Sequence, residues 1–145
     1  MLLEAYAAVV GNVSRDLGAT SDLPLSSFGI LLRLARSPGR RLRMTELATQ
    51  AALSTSGLTR LVDRLERLGC IRREPCASDR RASLAVLTDQ GAQVLAEAVP
   101  GHLESLERNM AGPLGPEGLR QLTATLEGLR DDARSRRPPP LASGS

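Results

Sequence analysis

Residues 54–69 read Ser54-Thr55-Ser56-Gly57-Leu58-Thr59-Arg60-Leu61-Val62-Asp63-Arg64-Leu65-Glu66-Arg67-Leu68-Gly69, and the rest of the chain takes its place around them. Leu58, Leu61, Val62, Leu65 and Leu68 recur at intervals of three and four, which puts them in one stripe of a helix predicted over residues 55–68 and closed by Gly69. The opposite side carries Ser56, Thr59, Arg60, Asp63 and Arg67. Short hydroxyls and a guanidinium at the N-terminal end suit entry into a DNA major groove, where such groups reach base edges and phosphates unobstructed. Taken alone, the pattern fits two things equally: a recognition helix, or one arm of an ordinary helical hairpin with a solvated arginine face.

The neighbouring segments separate these readings. Upstream, Thr45 is predicted to cap a short helix that turns Leu47, Ala48 and Ala51 inward, and Ala52-Leu53-Ser54 forms a tight turn, so the two helices make a helix-turn-helix. Downstream, Ile71-Arg72-Arg73-Glu74 is extended, Pro75 to Arg81 is a polar loop, and residues 82–87 form a second strand with Leu84 and Val86 on one side. A hairpin directly after a recognition helix is a wing. At its tip Ser78-Asp79-Arg80-Arg81 places two guanidiniums for a narrow minor groove, and Asp79 is predicted to hold one of them as a bidentate pair. The candidate DNA-binding residues are therefore Thr55, Ser56, Thr59, Arg60, Arg64 and Arg67 on the helix, with Ser78, Asp79, Arg80 and Arg81 on the wing.

Helices are also predicted over residues 2–17, over residues 26–36 ending at Ser37-Pro38-Gly39, and from Thr88 toward Met110 with a kink at Pro100-Gly101. A last helix follows the Pro113–Pro116 break, with Leu119, Leu122, Leu126 and Leu129 in register. These terminal apolar stripes exceed what the basic module can cover and call for a second copy of the chain. The expected fold is mainly α with a small β-wing. Residues 25–88 form a winged helix-turn-helix, residues 1–24 and 89–134 a helical dimerisation region, and residues 135–145 a disordered tail.

Composition narrows the function classes. A chain of 145 residues, 41% apolar and 24% charged, makes one globular domain, and its only aromatics, Tyr6 and Phe28, cannot build a base-stacking platform. No apolar run reaches membrane-spanning length and no signal peptide follows Met1, so a cytoplasmic protein without a membrane partner is expected. One histidine, His102, and two cysteines, Cys70 and Cys76, cannot supply a four-ligand Cys/His metal site. Phosphate-loop, dinucleotide and nucleophile-elbow motifs are missing, so neither a cofactor nor an enzyme is expected. All 19 basic residues are arginine, which GC-rich codon usage explains, but their clustering is informative. Twelve lie between Arg33 and Arg81 against five acids, a local net charge of +7 within a chain of +3. One localised surface therefore faces a polyanion.

With its wing motif at this distance from the helix, the chain resembles the MarR (multiple-antibiotic-resistance regulator) family of bacterial winged-helix transcription factors. The likeness runs from about Leu25 to Leu129. It is most specific at Leu47-Ala48, at residues 54–66, at Gly69, and from Asp79-Arg80-Arg81 to Val86-Leu87-Thr88. It implies a homodimer built by the terminal helices on pseudo-palindromic double-stranded DNA, with Ser56, Thr59 and Arg60 in the major groove and Arg80 and Arg81 in the wing. It also implies release by a small, often phenolic effector or by cysteine oxidation. Cys70 stands where the family usually has an aliphatic or aromatic residue, and the first helix is shorter than in many members.

Phe28 and the long aliphatic helices are expected to line an effector cavity. Cys70 is read as a core thiol and Cys76 as exposed on the wing, where Arg72, Arg73 and Arg80 would lower its pKa; it is either an incidental surface cysteine or an oxidation switch. The function expected is a repressor that excludes polymerase from its operator. The alternative is an interaction module whose basic face binds an acidic protein.

Overall fold

A computed structural model describes residues 1–136; the tail expected over residues 135–145 lies outside it except for Ser135 and Arg136, which end the last helix. The chain packs as two units, residues 1–106 and residues 107 onward.

In the first unit α1 (Leu2–Thr20) and α2 (Leu25–Ala35) precede β1 (Arg41–Arg43), α3 (Met44–Ala51) and α4 (Thr55–Arg67). The wing strands β2 (Ile71–Cys76) and β3 (Asp79–Leu87) lead into α5 (Asp89–Leu106). The three strands form an antiparallel sheet in the order β1-β3-β2. The short β1, missed in the sequence, pairs Arg41 with Val86 and Arg43 with Leu84. The wing is longer than expected: Cys76 pairs with Asp79, which leaves Ala77 and Ser78 as its turn and draws Asp79, Arg80 and Arg81 into β3.

One core joins these elements, with Leu17, Phe28, Leu31, Leu34, Leu47 and Leu95 at or below 6% exposure. Along α1 the apolar stripe divides. Val13 and Leu17 are buried, whereas Leu2, Leu3 and Tyr6 are 62%, 80% and 65% exposed. Gly101 was expected to kink α5 with Pro100; its visible role is closeness, because a Cβ there would lie 2.6 Å from Thr20 Oγ1 on α1. Ser105 Oγ adds a 2.6 Å hydrogen bond from α5 to Asp16 Oδ2 on α1.

In the second unit a wide turn (Glu107–Ala111) leads into α6 (Gly112–Ser135), which is broken at Gly115 (φ 65°) between the two prolines, where the sequence placed the break. Leu114, Leu126 and Leu129 are exposed on it. No helix among the described residues is long and apolar enough to cross a membrane.

The N-terminus of α5 is fastened to the end of α4. Thr88 Oγ1 donates to Gly69 O at 2.6 Å and accepts from Gly91 N at 3.0 Å, while Thr88 N donates to Cys70 O at 3.1 Å. A Cβ on Gly91 would sit 2.1 Å from Cys70 O and 2.8 Å from Leu87 Cδ1, so only glycine allows this approach. Gly91→Ala is expected to destabilise the fold by about 1 to 3 kcal/mol as backbone is forced apart, read as a lower urea midpoint at unchanged slope.

His102 packs against Phe28 with the ring planes tilted by 41° and the centroids 4.2 Å apart, and its Nδ1 is buried with no hydrogen-bond partner among the described residues. Burial lowers its pKa from 6.5. The unfolded chain therefore takes up this proton first, so stability contributed by the neutral ring is present above pH 6.5 and is lost as pH falls below it. Replacing His102 with leucine should remove that part of the acid sensitivity in urea titrations across this range.

Candidate nucleic-acid interface

The interface rests on how α4 is held. Its N-cap Ser54 accepts the Gly57 amide on Oγ at 3.1 Å, satisfying one of the free first-turn donors. At the other end Gly69 (φ 72°) reverses the chain, with Gly69 N donating to Glu66 O and Cys70 N to Leu65 O, both at 2.9 Å. Between these stops Leu58, Val62 and Leu65 are 1%, 0% and 0% exposed. Leu68, expected in the same stripe, lies past the last helical residue and is 52% exposed.

The predicted reading side faces outward. Thr55, Ser56, Arg60, Arg64 and Arg67 are exposed, and Thr59 is half-buried with its hydroxyl donating to Thr55 O at 2.8 Å. Thr45 does not cap α3. The helix starts two residues earlier, with Arg43 as its N-cap residue and Met44 as its first helical residue, and the Glu46 carboxylate accepts the Arg43 backbone amide at 3.2 Å. The turn between α3 and α4 passes through Ala52 in the left-handed region (φ 54°).

In the wing, Ser78 lies in the turn and is exposed, as are Asp79 and Arg81. Asp79 Oδ1 accepts the Arg81 backbone amide at 3.0 Å and so braces the turn through the main chain. Arg43 Nη2 donates to Ser78 Oγ at 3.0 Å, and Ser78 Oγ lies 3.2 Å from Cys76 Sγ. Cys76 is not exposed, as the sequence suggested, but 8% accessible beside a break in register at Pro75/Cys76. Hydrogen bonds from Ser78 lower its thiol pKa below 9.0, with a further contribution from Arg43 rather than from Arg72 or Arg73. Cys70, 3% exposed, is a core thiol whose pKa burial raises.

Arg72 and Arg73 are occupied elsewhere because successive strand residues face opposite sides of the sheet. Arg72 and Arg41, both opposite Val86, hold Glu74 between them at 2.8 and 3.1 Å. Arg73, opposite Ala85, points to α4, where Nη2 meets Asp63 Oδ1 at 2.5 Å and Nη1 meets Glu66 Oε2 at 2.8 Å. The sequence reading missed Arg43 and Arg73. Periodicity marks Arg73 as core-facing beside Ile71, but no local signal names its two partners.

A cavity of about 450 Å³ lies among Tyr6, Val10 and Ser14 of α1, Ile30 and Arg33 of α2, and Ala51 and Leu53 before α4. Phe28 does not line it; it is 2% exposed in the core.

A capped helix with a sealed apolar side, preceded by a helix and tight turn and followed by a β-hairpin, defines a winged helix-turn-helix protein. A MarR family model matches residues 21–82. The chain is 30% identical to the transcriptional regulator HosA of Escherichia coli O127:H6 over 96 residues, which cover 66% of this chain and 69% of HosA. It is 34% identical to the HTH-type transcriptional regulator PecS of Dickeya dadantii over 82 residues, 57% of this chain, and the match spans about half of PecS (49%). Its structure is similar to that of Sco3205, a MarR family transcriptional regulator from Streptomyces coelicolor solved in complex with DNA. The TM-score is 0.82 at 38% identity, covering 99% of this chain and 88% of Sco3205. The chain belongs to the MarR family, whose members matched here are transcriptional regulators and not enzymes.

Proposed function

We propose that the chain is a cytoplasmic, dimeric, sequence-specific repressor. Each copy lays α4 in the major groove of one half of a pseudo-palindromic operator and sets its wing against the adjacent minor groove. The observation that carries this is the sidedness of α4: Leu58, Val62 and Leu65 are sealed, while Thr55, Ser56, Arg60, Arg64 and Arg67 are exposed. Ser56, Thr59 and Arg60 discriminate bases. Arg64 and Arg67 supply phosphate affinity from the helix, and Ser78, Asp79, Arg80 and Arg81 form the wing contact. The DNA complex of the similar Sco3205 supports the same use of the fold.

Dimerisation falls to residues 1–24 and 89–134. The exposed Leu2, Leu3 and Tyr6 on α1 in the first unit, and Leu114, Leu126 and Leu129 on α6 in the second, are separate apolar patches that a second copy covers. Two α4 helices about 34 Å apart then meet successive major-groove turns and exclude polymerase from the promoter. A small aromatic or phenolic effector in the cavity beside Arg33 relieves repression by favouring a dimer with wrongly spaced helices, to the extent of its differential affinity for the two forms. Thiol oxidation, the other route, falls on Cys76, whose hydrogen bonds tie it to the wing turn.

Selection of duplexes from a random pool supplies the operator and tests the reading at once. Arg60→Ala should cost about 1 to 3 kcal/mol on the selected site with a much smaller loss on random duplex. Equal losses on both would make Arg60 a phosphate contact. Removing Arg80 and Arg81 together should weaken binding and flatten its dependence on salt concentration, and an unchanged slope would take the wing out of the interface. Failure to bind any duplex at low salt would favour the acidic-protein partner instead.

A further inference from the structure

The helix proposed to read DNA carries two carboxylates, Asp63 and Glu66, whose side chains remain 47% and 38% exposed. On a surface that approaches phosphates, unpaired acids would oppose binding. Here both turn onto one guanidinium. Arg73 projects from the core side of β2 at 29% side-chain exposure, giving one nitrogen to Asp63 and the other to Glu66, while its backbone amide donates to Glu66 Oε1 at 3.2 Å. The acids stand three residues apart, on one side of the helix, and the planar fork of arginine meets both at once.

We propose that Asp63, Glu66 and Arg73 form a positioning clamp that fixes the angle between α4 and the wing, and through it operator specificity. The inference rests on the DNA-binding reading above. Without the clamp the helix end is still tied by Gly69 and Thr88 and its apolar side stays sealed, but no ion pair sets the angle of its C-terminal half against β2. Groups reading adjacent grooves then fall out of register with one another. Contact with phosphates, which tolerates such shifts, survives.

This separates the clamp from simple charge. If the carboxylates acted only as charges, Asp63→Asn would tighten binding to every duplex, since it removes a negative group near the polyanion. If they position, Asp63→Asn weakens binding to the operator while random-duplex binding is unchanged or stronger. The test measures affinities of the full-length chain for the duplex selected by wild type and for random duplex of equal length, at one moderate salt concentration, with urea midpoints recorded alongside. Asp63→Asn is expected to lower the operator-to-random affinity ratio about tenfold or more, the size of one well-made base contact. Arg73→Lys, which keeps a cation but loses the fork, should fall between, and it carries the same test should Asp63→Asn not fold. Asp63→Asn combined with Arg73→Gln should be little worse than either alone, as expected of groups that act together.

An unchanged ratio in both single variants, or losses that add in the double variant, overturns the clamp while leaving the DNA-binding reading intact. If wild type selects no sequence from the pool, the DNA-binding reading fails and the clamp with it.

Discussion

Leu58, Val62 and Leu65 meet α2, α3 and the sheet along one side of α4, and that contact sets how the helix is rotated about its own axis. Successive helical residues are about 100° apart, so no other rotation buries all three. At roughly 1.5 to 3 kcal/mol for each fully buried side chain, the seal outweighs the few tenths to about 2 kcal/mol available from the Ser54 cap. The polar side is left outward as a consequence. The two bonds at Gly69 and the Thr88 hydroxyl then fix where the helix ends and hand that position directly to the first turn of α5. Any motion of α5 is therefore felt at the C-terminal end of α4, through direct hydrogen bonds from Thr88 to the Gly69 and Cys70 carbonyls rather than through an apolar side-chain layer alone.

The five acids of the basic segment have a common use. Glu46 takes the amide that starts α3, Asp63 and Glu66 grip Arg73, Glu74 holds Arg41 and Arg72 together across the sheet, and Asp79 braces the wing turn. Each carboxylate is committed to a local hydrogen bond or ion pair that shapes the module. These pairs are half-exposed, so each adds little to stability by itself. Their larger effect is on placement, because every one joins two pieces of backbone that must be mutually oriented. The arginines of α4 that stay outward, Arg60, Arg64 and Arg67, define the positive surface. Net charge alone would not distinguish these from the arginines spent on architecture.

How much of this was readable in the sequence follows from the range of the interactions. The expected bounds 55–68 differ from the observed Thr55–Arg67 by one residue, because the apolar spacing and Gly69 are local signals that agree with one another. The expected wing is too short because its turn, Ala77-Ser78, lacks the glycine or asparagine that usually marks one, and Asp79-Arg80-Arg81 looks like loop although it lies in β3, with Asp79 paired to Cys76. β1 was invisible because three residues form a strand only by pairing with a partner more than forty positions away. Thr45 looked the better cap, yet Glu46 reaching back to Arg43 settles where α3 starts. Arg73 is the instructive case. Its facing can be inferred from alternation, but Asp63 and Glu66 are brought to it by a chain reversal whose geometry no local pattern encodes.

The cavity near Arg33 occupies the other end of the same mechanical line. Ala51 and Leu53, in its wall, belong to the turn that starts α4, whereas Tyr6, Val10 and Ser14 belong to α1, whose exposed apolar end is the proposed dimer surface. An occupant that changes the spacing between α1 and this turn would act on the beginning of α4 while α5 holds its end. Complete switching of a two-state pair from 1:99 to 99:1 needs about 5.5 kcal/mol of differential binding. A space of about 450 Å³ takes only a small ligand, for which that difference is a large share of the whole binding free energy. The unliganded balance between competent and incompetent dimers would therefore have to be close to even for such an effector to act decisively. That places the burden of regulation on how tightly the two ends of α4 are held, rather than on the tightness of the effector alone.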